Sequence, residues 1–429
     1  MKQNFIKLFY FDLLKVIKLI VTKQFHEHDF KQVSIESIEL LEHRIKFYLA
    51  LRHGFDQNID KTTKLDQKKD FGHWMLRFWY LVGMLRAVVV LNIHDETAIY
   101  FGDLAYGSKD RDFLWIIIIV GVTIMAMCHE LVLIVENRDG FVGEPARIKV
   151  LLKNGFSHFP FVKLQQNEFC RLIYFIGEFH NFFIVTIVPH ILILYNYELV
   201  ICVYKNLSLK TIFFEIAWTC TLTPLVTYYA VQLVCYGALF CIYAGVFYYH
   251  MDSLVNATST LLASIDNARN TDIKFILEHT LILFNEIDFY SSRVRSMLFY
   301  FYTGVALQSL WFIQFGVIVG NHSVVMDILI AFIGIALIAH NLITSLFSAQ
   351  LNKKVASLYS MWHQIYCKSR STTIMKLKMV EILNRLTLPT TGVQIGDFGL
   401  VTKEFVLIFF LEFISTIMMF KVNFGSFFS

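Results

Sequence analysis

From Ile216 to Met251 the chain runs for roughly 36 residues without a Lys, Arg, Asp or Glu, and a helix of that length at 1.5 Å per residue is about 54 Å long against a bilayer core of about 30 Å. Either two short spans fold back on each other, or one helix runs far past the membrane. No Pro-Gly or Asn-Gly turn divides the stretch, so it reads as one long helix projecting into the cytosol. The composition agrees. Of 429 residues 56% are hydrophobic and 17% charged, below the roughly 25% charged of soluble domains. No ten-residue alternation suggests a barrel. The expected class is an all-α membrane protein.

Residues 1–71 read as a cytosolic N-terminal region. Met1–Phe25 is apolar but cut by Lys7, Lys15, Lys18 and Lys23. Three of these share one side at 100° per residue, which suits a helix on the membrane surface or one packed on the protein's own cytosolic part. Ser34–Leu51 is a second helical pattern, and Asp56–Asp70 is a charged linker. Seven spans follow in residues 72–424: Gly72–Ile93 (carrying Arg77 and Arg86), Phe113–Val135, Phe169–Tyr197, one starting near Thr211, Met297–Gly320, Val324–Phe347 and Phe405–Phe424. Asp252–Arg295 reads as a cytosolic helical connection. The seven Cys fall mostly inside spans without a C-x-x-C, so neither a disulfide framework nor a zinc site is implied.

Seven spans put the termini on opposite sides, and Lys and Arg orient them. Residues 1–71 hold 13, the loop 136–168 holds 5, 252–296 hold 4 and 349–403 hold 8, against 4 in the opposite loops. Discounting the long N-terminal region leaves 17 to 4, so the N-terminus is cytosolic and the C-terminus extracellular. The sequons at Asn206 and Asn321 then fall outside, where they accept glycans, and the one at Asn256 falls inside.

Other chemistry is set aside on spacing. His129-Glu130 lacks a second His at position 133, which is Leu133, and reads as a paired polar group. His26, His28 and Asp29 read as solvated surface, and no metal is expected. His180, His190 and His340 form no catalytic or metal spacing. There is no phosphate loop, no Gly-x-Ser-x-Gly and no basic groove for nucleic acid. A secondary transporter predicts internal repeats and interrupted helices, neither of which the sequence displays. A G-protein-coupled receptor has its N-terminus outside.

Near the chain's end Thr416-Ile417 is followed by five residues and then Asn423-Phe424. This resembles the closing signature of arthropod gustatory receptors: Thr-Tyr, five apolar residues, Gln-Phe. Thr416 and Phe424 match; Ile417, Asn423 and Lys421 depart from it. The architecture from about residue 72 onward is similar to that superfamily of gustatory and odorant receptors. The resemblance implies a ligand-gated cation channel in the plasma membrane, not an enzyme and without cofactors. It implies four like subunits, as a homotetramer or heterotetramer, around one pore lined by the last helix (404–424), with residues 349–403 in a cytosolic anchor. The alternatives are an odorant receptor or a small-solute transporter.

A small-molecule stimulus would enter an outer pocket between the third and sixth spans, where Pro189 and Pro224 loosen two helices and His190, Tyr195, Tyr197, Trp218, Trp311 and Gln314 offer aromatic and polar lining. Taking Thr416 as 0° on the last helix, Phe409 lies at about +20°, Asn423 about −20°, Glu412 about −40° and Met419 about −60°. Pore and gate residues on this face are Glu412, Thr416, Met419, Asn423 and Phe424. Glu412 then forms a ring of carboxylates, or alternatively pairs with Arg77 or Arg86.

Overall fold

The computed structural model describes residues 29–52, 54–55, 67–101, 103, 111–137, 148–149, 152, 164–204, 208–319, 324–387, 392–396 and 399–425. Its α-helices are α1 (Asp29–Phe47), α2 (Gln67–Asn92), α3 (Arg111–Asn137), α4 (Leu164–Tyr204), α5 (Leu209–Ala263), α6 (Asn270–Ile313), α7 (Val324–Lys368), α8 (Thr373–Thr387) and α9 (Lys403–Gly425). Short 3-10 turns stand at Glu96–Phe101 and Ile265–Asn267. Met1–Phe25, Asn206 and Asn321 lie outside the described residues.

The uncharged run is one helix. α5 has 55 residues, about 83 Å at 1.5 Å each, and remains helical through Pro224. From Tyr229 to Phe247 every residue is buried, as expected of a helix apolar on all sides. It is the central post, with α4, α7, α6 and α2 packed around it. Antiparallel contacts pair Tyr80 with Gln232 (α2, α5), Ser345 with Tyr302 (α7, α6) and His190 with Phe332 (α4, α7). The parallel α5–α7 pair has Gly237 against His340 and Asp252 bonded to Lys354. Helices α2 to α7 therefore alternate in direction. Among the described residues six segments are long and apolar enough to cross a membrane: Phe71–Asn92, Trp115–Glu136, Asn167–Ile193, Ile212–Ala263, Asn270–Ile313 and Asp327–Lys368. The seventh expected span coincides with α9.

Asp252–Arg295 is helical, as read: it comprises the end of α5, one 3-10 turn and the start of α6, which runs unbroken to Ile313. The chain is not wholly helical: a two-stranded antiparallel ladder, β1 (Gln394–Ile395) with β2 (Gly399–Leu400), turns the chain from α8 into α9. Gly396 at its bend has φ 52°, open to glycine without steric cost, and its N–H donates to Arg295 O at 2.8 Å. No strand signal marks so short a hairpin, because one two-residue ladder buries too little to need an alternating pattern. Beyond Lys353 an apolar stripe at helical spacing faces inward: Val355, Leu358, Trp362 and Ile365 are buried in the core and Met361 is packed against it.

Before the first span, α1 begins at Asp29 rather than at Ser34, because Ser34 Oγ is used between helices, donating to Cys170 O at 2.7 Å. On the same side Ser37 Oγ donates to Glu178 Oε1 (3.0 Å), and Arg44 Nη1 donates to Asn181 O (2.9 Å) and Oδ1 (2.8 Å). The turn after α1 is held by Gln232 Nε2, which reaches Tyr48 O and Leu49 O, and by buried Glu42. That carboxylate accepts from Lys149, from Lys46 Nζ at 2.8 Å and from the Phe55 N–H at 2.9 Å. Burial pushes its carboxyl up, but the two ammonium groups and the Phe55 N–H outweigh burial and hold it below the ordinary value. A depressed folded pKa gives stability that is present above the unfolded value and lost as pH falls through the folded one. Acidification below about pH 4.5 is therefore expected to expose the turn at residues 48–55 to protease before the bundle opens, and Glu42→Gln to remove that step. Cleavage mapping against pH checks both.

Candidate functional site

The last helix is sorted into three faces by what its side chains meet. Val406 and Phe413 are buried, and Phe409 lies edge-on to Tyr302 of α6, 6.3 Å between centroids. Taking Thr416 as 0°, these packed residues span about +20° to +80°. Leu407, Leu411, Ile414 and Met418 are exposed and wholly apolar, grouped around about 190°. Between the two faces Ile408, Glu412, Ser415 and Met419 are exposed, from about −40° to −100°. Thr416 is half-buried, with Oγ1 donating to Glu412 O at 2.7 Å. The side chains of Asn423 and Phe424 lie outside the described set. Of the residues read as a pore face, Glu412 and Met419 thus share an outward strip, Phe409 is turned into the bundle, and Ile408 and Ser415 join the strip. The misplacement of Phe409 arises because helical angle alone does not say which neighbour a face meets.

Arg77 and Arg86 do not pair with Glu412. Arg77 forks onto Glu130 at 2.5 and 2.7 Å, the paired polar group expected there. Beside it His129 Nδ1 is 2.8 Å from Tyr236 Oη, and its Nε2 is 3.4 Å from His73 Nδ1, linking α2, α3 and α5. Arg86 donates to Phe101 O at 2.7 Å and sits between the rings of Trp218 (4.9 Å) and Trp115 (5.5 Å), a cation–π arrangement. Among the described residues Glu412 has no ion-pair partner.

The six pocket residues are dispersed. His190 stacks on Phe332 of α7 at 4.8 Å, with Nδ1 2.8 Å from Thr186 O. Trp218 donates to Tyr100 O at 2.8 Å and belongs to the Arg86 cluster. Trp311 and Gln314 stand together at the C-terminal end of α6, Gln314 buried and Trp311 packed on Phe312 at 4.8 Å. The side chains of Tyr195 and Tyr197 lie outside the described residues. Two features escaped sequence reading. One is the buried knot of the loop before α3, where Asp103 accepts from Arg111 and, at 2.8 Å, from Trp115 Nε1. The other is the contact of His180 with His340, 5.1 Å between centroids, for which Gly237 makes room: a Cβ there would collide with the His340 ring.

No protein-family model matches the sequence, and no curated protein is similar to it. Solved structures are. The insect olfactory receptor OR5 from Machilis hrabei in complex with eugenol superposes with TM-score 0.59 over 90% of this chain and 97% of that one, at 9% identity. The structure of the same receptor described without eugenol gives 0.56 over 91% and 97%, at 11% identity. The chain has the fold of an insect olfactory receptor.

Proposed function

We propose that the chain is a chemoreceptor of the insect gustatory and odorant type: one subunit of a ligand-gated cation channel in the plasma membrane, opened by a small molecule. The observation that carries this is the likeness of fold over nine-tenths of the chain. OR5 was solved in complex with eugenol, and a small-molecule stimulus is the counterpart here, received in the outer half near Trp311, Gln314 and His190. In this reading α9 is the seventh span. Four copies meet with the strip Ile408, Glu412, Ser415 and Met419 toward the axis, the packed face on α6 and α7, and the apolar face toward neighbours and lipid. Asn423 and Phe424 form the outer narrow part, closed by dewetting. Residues 349–403 form the cytosolic anchor between subunits. The subtype is gustatory, from the closing signature at Thr416–Phe424. A transporter is disfavoured because α4 and α5 stay continuous through Pro189 and Pro224, whereas transporter sites sit at interrupted helices.

Expression in cells that lack other chemoreceptors, with calcium imaging against a panel of small volatile and non-volatile molecules, tests the reading. Dose-dependent cation entry is expected, and no entry with any compound despite surface expression would oppose it. The orientation makes a separate prediction. Glycosidase mobility shifts should vanish in Asn206→Gln with Asn321→Gln and persist in Asn256→Gln. A glycan on Asn256 would reverse the topology.

A further inference from the structure

The fork of Arg77 onto Glu130 lies on the outside of the bundle. Its two bonds measure 2.5 and 2.7 Å, and the two side chains are 44% and 41% exposed. Both ions nevertheless sit inside apolar segments long enough to cross a membrane. Arg77 is six positions from the start of Phe71–Asn92, and Glu130 is six positions from the end of Trp115–Glu136. At 1.5 Å per residue each lies about 9 Å inside its segment, and because α2 and α3 are antiparallel the two depths match. The exposed side chains that flank the pair are apolar: Trp74, Phe78 and Leu81 on α2, Met127 and Ile134 on α3. Ionised groups inside a span ordinarily turn to the bundle interior or to a water-filled cavity. This pair turns outward, the side that meets lipid in a bilayer. Trp74, one turn nearer the start of its segment, is of the type that sits at headgroup level, which brings a headgroup within reach of Arg77.

We propose that the Arg77–Glu130 fork is a binding site for one phospholipid with a primary-ammonium zwitterionic headgroup, of which phosphatidylethanolamine is the simplest. A fork uses two of a guanidinium's five N–H donors and two of a carboxylate's about four acceptor positions, so it exhausts neither ion. The lipid phosphate accepts from the guanidinium, a strong charge-assisted pairing. The lipid ammonium donates to the Glu130 carboxylate, and the four charges close into a ring of alternating sign. A choline headgroup carries the same charges, but its trimethylated nitrogen has no N–H to give Glu130. A glycerol headgroup satisfies Arg77 and leaves an unbalanced negative charge beside Glu130. The acyl chains of the bound lipid lie along Trp74, Phe78 and Leu81. In the proposed orientation the site opens to the cytosolic leaflet. The inference rests on the membrane reading of the chain and not on the channel reading.

The full-length protein, purified in detergent, is offered equal amounts of phosphatidylethanolamine, phosphatidylcholine and phosphatidylglycerol with identical acyl chains, and bound lipid is counted by native mass spectrometry. Phosphatidylethanolamine adducts are expected to exceed each of the others by about fivefold, the upper range for one exposed ion pair, and the preference is expected to vanish in Glu130→Gln. Equal binding of all three by the wild type, or a preference for either of the other two, overturns the proposal. So does a preference that survives Glu130→Gln, since the lipid is then held elsewhere. If that variant fails to fold, a photoreactive phosphatidylethanolamine cross-linked to the wild type decides: label on residues 71–81 or 127–134 is expected, and label confined to other peptides overturns the site. The membrane reading fails separately, by release of the protein from cell membranes in alkaline carbonate without detergent, and that result removes the basis of the site whatever the lipid preference.

Discussion

Glu412→Gln should move the reversal potential in asymmetric salt toward that of a less cation-selective pore and lower single-channel conductance, with surface expression unchanged. An ionised carboxylate in an otherwise apolar span is costly, about 2.5–3.5 kcal/mol for a central Asp on insertion scales, and so needs water or a partner. The two arginines offered as partners from the sequence are engaged elsewhere: Arg77 by Glu130, and Arg86 by Phe101 O and two indole rings. Its side chain is exposed in the single chain, on a strip that also carries Ser415. Four such strips around an axis place four carboxylates in the ion path, and such rings favour cations. Ser415→Ala, one turn outward on the same strip, should lower conductance less, since it removes a dipole rather than a charge. An unmoved reversal potential in Glu412→Gln, with channels at the surface, would place Glu412 away from the pore.

The largest loss of stability is expected at the loop before α3. Asp103 is fully buried at its carboxylate, and Arg111 is 8% exposed. Arg111 also donates to Val90 O and Ile93 O, fastening the C-terminal end of α2. Removing one member of such a pair leaves the other charge buried without its counterion, which costs about 3–5 kcal/mol. Asp103→Ala leaves the guanidinium only the exposed Asp112 carboxylate, at 3.2 Å, and strands the Trp115 N–H, and should abolish surface delivery and sharply lower the melting temperature of the detergent-solubilised protein. Asp103→Leu combined with Arg111→Met should recover most of the loss, because replacing both ions by apolar groups of similar volume is often neutral. If Asp103→Ala melts like wild type, the knot does not hold the C-terminal end of α2 and the N-terminal end of α3.

Most of the fold could be read from one-dimensional signals, because a bilayer imposes them. Length and hydropathy place the first three apolar segments within a few residues, while the fifth and sixth extend well beyond the expected spans, and the uncharged Ile216–Met251 stretch marks α5, since a helix apolar on every side must be buried in protein or lipid. Where a helix continues beyond the membrane, hydropathy stops guiding: the start of α6 carries Lys274, Glu278 and Arg293 on one side and buries Ile276, Phe284 and Ile287 on the other. The site was less legible. Helical angle placed Glu412 and Met419 on one strip but put Phe409 beside them, because only tertiary packing on Tyr302 decides where the strip ends. Trp218 and Arg86 were read separately, though their meaning lies in the cation–π contact between α2 and α5.

Whether copies of this chain alone form a stimulus-gated cation pathway is decided by recording from purified protein in a planar bilayer under a sodium gradient, with the panel compound that evokes the strongest cellular response. The predicted result is discrete unitary steps that appear on addition of the compound and reverse near the sodium equilibrium potential. Slow flux without unitary steps, or steps reversing near the chloride potential, would contradict it.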